Sequence, residues 1–123
     1  MKTFTLEEAN ALLPHVRALL EDMIESRAQI LASGASLESV LRKASGNGGS
    51  KQASGFVLLL QRFNASLEAL KELGVELKDL DQGLVDFPSM RNGEVIYLCW
   101  KRGEEDIQFW HDLDSGFAGR QPL

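Results

Sequence analysis

The hydrophobic period of this chain changes at Gly74. Ahead of it, apolar residues recur at spacings of four and three, first as Ala9, Leu13, Val16, Leu20 and Met23, then as Phe56, Leu60, Phe63, Leu67 and Leu70. That spacing puts each set on one face of a helix. Behind Gly74, apolar and polar residues alternate, as they do along half-buried strands. Helices first and strands second predict an α+β fold rather than alternating βαβ units. Composition follows the same divide: 16 of 20 leucines lie at or before Leu80, and six of nine aromatics lie between Phe87 and Phe117.

The helical half carries its own punctuation. Thr5-Leu6-Glu7-Glu8 is a capping box, with the threonine oxygen placed for the Glu8 amide and the Glu8 carboxylate for the Thr5 amide. Ser33-Gly34 is the stop signal of that first helix. Pro14 lies in its third turn and predicts one bent helix rather than two. Residues 35–44 suit a short helix capped by Ser36, with Leu37, Val40 and Leu41 on one face, and residues 46–50 a glycine-rich loop. Gly74 is placed as the terminator of the second long helix. Residues 5–74 therefore read as a long antiparallel helical hairpin.

In residues 75–123 the most informative pair is Asn92-Gly93, the tight-turn dipeptide of a β-hairpin. A two-residue turn pairs Arg91 with Glu94, which sets Val85 opposite Trp100, Asp86 opposite Cys99 and Phe87 opposite Leu98. Val85, Phe87, Ile96, Leu98 and Trp100 then share the face packed on the helices. Asp86, Pro88, Val95, Tyr97, Cys99 and Lys101 share the other. For the next strand, hydrophobic matching favours Arg102 opposite Ile107, which brings Ile107, Phe109 and His111 to the helix-packed face and Trp110 and Asp112 to the second; a slip of one residue reverses this. The reading is one domain over residues 1–123, the hairpin packed on an antiparallel β-meander of three or four strands, with an irregular tail.

Charge and motif content exclude several functions. Eighteen acidic against 13 basic residues give a net charge of -5 and no basic stripe, which argues against duplex nucleic acid as a partner. No apolar run approaches membrane-span length, and the acidic N-terminal segment does not resemble a signal peptide. With Cys99 the only cysteine, no intrachain disulfide forms, and a cytoplasmic location is expected. No Walker A, GxGxxG, GxSxG or HExxH motif is present.

Four features carry candidate chemistry. Asp86, His111, Asp112 and Asp114 offer the carboxylate and imidazole groups that hold divalent metal ions, with Asp86, His111 and Asp112 the candidate set; the plainer alternative is a hydrogen-bonded histidine packed under the tail. Gly116-Phe117-Ala118-Gly119-Arg120 suits a loop whose Arg120 grips an anionic ligand or pairs with a carboxylate of the same chain. Cys99 reads as an inert strand residue rather than a nucleophile. Leu12, Leu19, Leu59 and Leu73 exceed what one sheet face consumes and favour a homodimer.

Several segments together resemble a known family: Leu73 to Leu80, Gly83-Leu84-Val85-Asp86-Phe87-Pro88, Tyr97 to Lys101, and Trp110 to Arg120, with Phe4 to Asn10 and Leu13-Pro14 at the front. They resemble the uncharacterised family catalogued as domain of unknown function 2203. The resemblance implies a small prokaryotic cytoplasmic protein and supplies no activity. The residues matching its signature are Lys78, Asp79, Gly83, Asp86, Phe87, Pro88, Trp100, Trp110, His111, Gly116, Gly119 and Arg120. From these, Lys78, Asp79, Asp86, Trp110, His111 and Arg120 become the candidate ligand-binding residues. The expectation is a small binding or assembly protein taking a metal ion or a small anionic ligand at the sheet and tail. The alternative is a small enzyme with His111 as general base and Arg120 as anion clamp.

Overall fold

The computed structural model describes residues 2–32 and 51–123, without the side chains of 51–54. The expected short helix over 35–44 and the glycine-rich loop lie outside the described residues. Helix α1 (Leu6–Ala32) and helix α2 (Lys51–Glu72) precede five strands: β1 (Glu76–Asp79), β2 (Leu84–Arg91), β3 (Glu94–Lys101), β4 (Phe109–His111) and β5 (Gln121–Pro122). The sheet is an antiparallel meander in that order, and a single 3-10 turn (Phe117–Gly119) precedes β5.

Local chemistry accounts for the element ends. The capping box forms in both directions: the Thr5 amide donates to Glu8 Oε1 at 2.9 Å and the Glu8 amide to Thr5 Oγ1 at 3.1 Å. Pro14 does not divide α1. At the other end of the hairpin, the Gly74 amide donates to the Lys71 carbonyl at 2.9 Å and the Val75 amide to the Leu70 carbonyl at 3.3 Å. With Gly74 at φ 89°, this is a Schellman ending. Phe4 lies close to Gly74, so the start of α1 meets the end of α2 and the helices are antiparallel.

The core lies between the hairpin and one face of the sheet. Leu13, Val16, Leu20 and Met23 of α1 and Leu70 of α2 pack with Val85, Phe87, Ile96, Leu98 and Trp100, all almost fully buried. Each such side chain contributes roughly 1.5–3 kcal/mol of hydrophobic stabilisation. Leu12, Leu19 and Leu73 also pack against this cluster, so much of the leucine surplus is taken up within the chain. Phe4 closes one end, edge-on to Phe87, with its amide donating to the Pro88 carbonyl at 2.7 Å.

The β2–β3 hairpin has the expected register, from Arg91↔Glu94 to Val85↔Trp100 and Leu84↔Lys101. Asn92 at φ 52° and Gly93 at φ 79° form its turn, and positive φ at both positions is what makes Asn-Gly suited to it. The next strand corrects the expectation. Arg102 does not pair with Ile107; β3 and β4 pair as Tyr97↔His111, Leu98↔Trp110 and Cys99↔Phe109, one residue out of the expected register. The Ile107 side chain does enter the core, but outside the ladder, its amide donating to Asn10 Oδ1 of α1 at 2.9 Å. The ladder resumes only at Phe109, so its alternation is reset. His111 and Phe109 therefore lie on the outer face with Asp86, Tyr97 and Cys99, while Trp110 turns toward the helices. The tail adds the fifth strand, because Gln121 and Pro122 pair with Trp110 and Phe109 and the Leu123 amide reaches the Gln108 carbonyl at 2.9 Å.

Candidate metal centre

The outer face of the sheet, away from the helices, holds a second buried cluster. Asp86 on β2 and Cys99 on β3 are directly opposed, and His111 on β4 sits beside them. Asp86, Cys99 and His111 are 2%, 0% and 2% exposed. Their candidate ligand atoms all lie within 4.8 Å of one another. Three different strands thus converge one carboxylate, one thiol and one imidazole, and the Asn92-Gly93 turn fixes two of the three by register.

The imidazole is held at both nitrogens. Nδ1 lies 2.7 Å from the Asp112 carbonyl oxygen, which only accepts, so Nδ1 carries a proton. Nε2 lies 3.1 and 3.0 Å from the two carboxylate oxygens of Asp86. A lone pair on Nε2 facing a carboxylate is repulsive unless a positive charge lies between them. Either a proton lies between Nε2 and the Asp86 carboxyl, or a cation is shared by the imidazole, the carboxylate and the cysteine sulfur. A backbone carbonyl on Nδ1–H is the support that orients metal-ligating histidines. Zinc ligands at about 2.0–2.2 Å in a tetrahedron stand about 3.3–3.6 Å apart, slightly farther than His111 Nε2 stands from the Asp86 oxygens and inside the 4.8 Å that spans the three groups.

Surrounding groups seal the cluster. Burial, then the Asp86 charge, pushes the Cys99 thiol up to about 12, with the Arg120 charge opposing. Tyr97 lies beside His111, with ring centroids 5.4 Å apart, and its hydroxyl donates to Glu76 Oε1 at 3.1 Å. Burial and that Glu76 contact raise the Tyr97 pKa. On the other side the tail folds over the sheet. Arg120 stacks on Phe109 and Phe117, 4.1 and 4.8 Å from the ring centroids, and grips both oxygens of Glu104 at 2.7 and 2.9 Å. The same Nη2 reaches the Cys99 carbonyl at 3.4 Å.

The other expected residues divide among roles. Lys78 lines the rim, pairing with Glu76 at 3.0 Å and lying over the Tyr97 ring at 4.7 Å. Asp79 closes the β1–β2 turn by accepting the Gln82 amide at 3.3 Å. The Asp112 carboxylate stays exposed and accepts the amides of Ser115 and Asp114 at 2.8 and 3.1 Å; the Ser115 contact, then Asp114, lowers its pKa. Asp112 thus reaches His111 through its carbonyl and not its carboxylate. Trp110, on the helix side, carries Arg91 over its ring at 4.3 Å. Cys99 takes the place that the sequence reading assigned to the Asp112 carboxylate. The Asp86–Cys99 register already pointed to it, but an isolated strand cysteine carries no ligand signature of its own.

The family model for an uncharacterised conserved protein, DUF2203, matches residues 2–123. The chain belongs to that family. No curated protein and no solved structure matches it. Asp86 and His111, two of the residues through which the sequence resembles the family, meet at this buried cluster. No helix among the described residues is long and apolar enough to cross a membrane.

Proposed function

We propose that this DUF2203 chain is a small binding module whose ligand is a divalent transition-metal ion held by Asp86, Cys99 and His111. One observation carries the reading: the Nδ1 proton of His111 is committed to a carbonyl, which turns Nε2 onto a buried carboxylate with a thiol alongside. A mixed sulfur, nitrogen and oxygen donor set suits zinc or cobalt and not magnesium or calcium, which take oxygen ligands. The metal deprotonates the thiol on binding, which offsets the raised pKa of the free group. The enzyme reading is less well supported, because both ring nitrogens of His111 already contact protein groups and the ring is buried. Anion clamping by Arg120 is less well supported too, since its Nη2 is already paired with both oxygens of Glu104.

Cobalt(II) titration of metal-free protein tests this. The expected result is one ion per chain with a sulfur-to-cobalt charge-transfer band, abolished in Cys99→Ser and His111→Ala. Absence of cobalt and zinc uptake by the folded wild-type chain overturns it. Homodimerisation belongs to the same proposal, and light scattering at high protein concentration reads it directly.

A further inference from the structure

On the opposite side of the sheet, α1 and the turn after β3 border a half-open cavity of about 520 Å³. Leu20 and Trp100 form its floor, and Arg17, Glu21, Arg102, Gly103 and Glu104 its walls. Its volume lies within the range of about 300–1,000 Å³ seen for small-molecule sites.

The two arginines and two glutamates of its walls are not all paired with one another. Arg102 is gripped by both oxygens of Glu21, at 2.5 and 2.9 Å. The Glu104 carboxylate is met by Arg120, which lies outside the lining. Arg17 has no such partner: it lies over the Trp100 ring at 5.4 Å, donates through Nη2 to the Glu105 carbonyl, and pairs with no carboxylate among the described residues. A guanidinium has five donor hydrogens, so most of its fork stays available. Two main-chain features border the cavity. The Glu104 carbonyl accepts Trp100 Nε1 at 2.9 Å, and Gly103 at φ 102° has nothing within 4 Å of where a side chain would begin.

We infer that this cavity binds a small organic oxyanion, a carboxylate or a phosphate monoester, whose charge is met by Arg17 and whose apolar body rests in the cleft beside Trp100. One guanidinium without a carboxylate partner over an apolar floor suits an oxyanion head that accepts from its fork, carried on an apolar body. The cavity faces the helices and the metal cluster faces away from them; Glu104 borders both, and anion binding here needs no metal at the cluster.

Calorimetric titration of the metal-free chain with benzoate, phenyl phosphate and benzyl alcohol tests it. The expected result is saturable binding of benzoate or phenyl phosphate but not of the neutral alcohol, and the preferred probe identifies the head group. Arg17→Gln weakens that binding by about tenfold or more, whereas Arg27→Gln, which removes the same charge elsewhere on α1, leaves it unchanged. Arg17→Lys, which keeps the charge without the fork, binds at intermediate strength. Circular dichroism confirms that each variant is folded. Failure of both anions to bind, equal binding of the alcohol, or unchanged binding in folded Arg17→Gln overturns the inference.

Discussion

His111 Nε2 lies 3.0 and 3.1 Å from the two carboxylate oxygens of Asp86, and both side chains are buried. Removing one partner strands the other in a low-dielectric site. In the metal-free chain, His111→Ala is expected to cost about 3–5 kcal/mol. The double variant with Asp86→Ala costs less than the sum of the two single changes, because the second change removes the stranded group. Urea denaturation of all four chains measures the coupling, and additive losses contradict a direct pair.

Cys99 is expected to resist thiol reagents. Its sulfur is buried and its pKa is pushed up to about 12, so thiolate and access are both scarce near neutrality. Labelling then follows opening of the tail. Arg120→Ala removes the Glu104 ion pair and the stacking on Phe109 and Phe117, and speeds labelling by about tenfold or more. A disulfide reagent with a chromophoric leaving group reads the rate; equal rates in the two chains contradict the tail as the cover.

Glycine replacement separates backbone strain from crowding. Gly93→Ala adds a side chain at φ 79° into open space and is expected to cost about 1–2 kcal/mol. Gly83→Ala meets the same kind of strain at φ 64°, and its new carbon falls 2.4 Å from Arg102 Cβ. It is expected to be worse than Gly93→Ala by about 1 kcal/mol or more. Melting curves of the two variants rank them.

The capping box makes a pH prediction. Hydrogen bonds from the Thr5 amide, then the Thr5 side chain, hold the Glu8 carboxyl below its ordinary value. A carboxyl lowered in the folded chain stabilises it above the unfolded pKa, and that contribution fades as pH falls through the lower, folded pKa. The melting-temperature difference between wild type and Glu8→Gln is therefore expected near neutrality and to shrink as pH falls below about 4. A difference independent of pH contradicts the carboxylate's part in the cap.

Much of this architecture is legible one segment at a time. The Thr5–Glu8 box, the four-and-three stripes and Gly74 define the helices because helix ends and faces are short-range matters. Asn92-Gly93 sets the β2–β3 register, and with it the Asp86–Cys99 pair, because a two-residue turn leaves one alignment. What the tertiary structure alone decided is the face of His111. Between Lys101 and Phe109 no strand period survives, and Ile107 is drawn to Asn10 of α1 across 97 positions of sequence. With Ile107 outside the ladder, the alternation restarts at Phe109, and the pairing of Tyr97 with His111 places the imidazole on the outer face. Burial of the outer cluster was equally invisible, since alternation marks only the face that packs on the helices. A cover assembled from Phe117, Arg120 and Glu104 depends on the tail returning to the sheet, which no local spacing specifies.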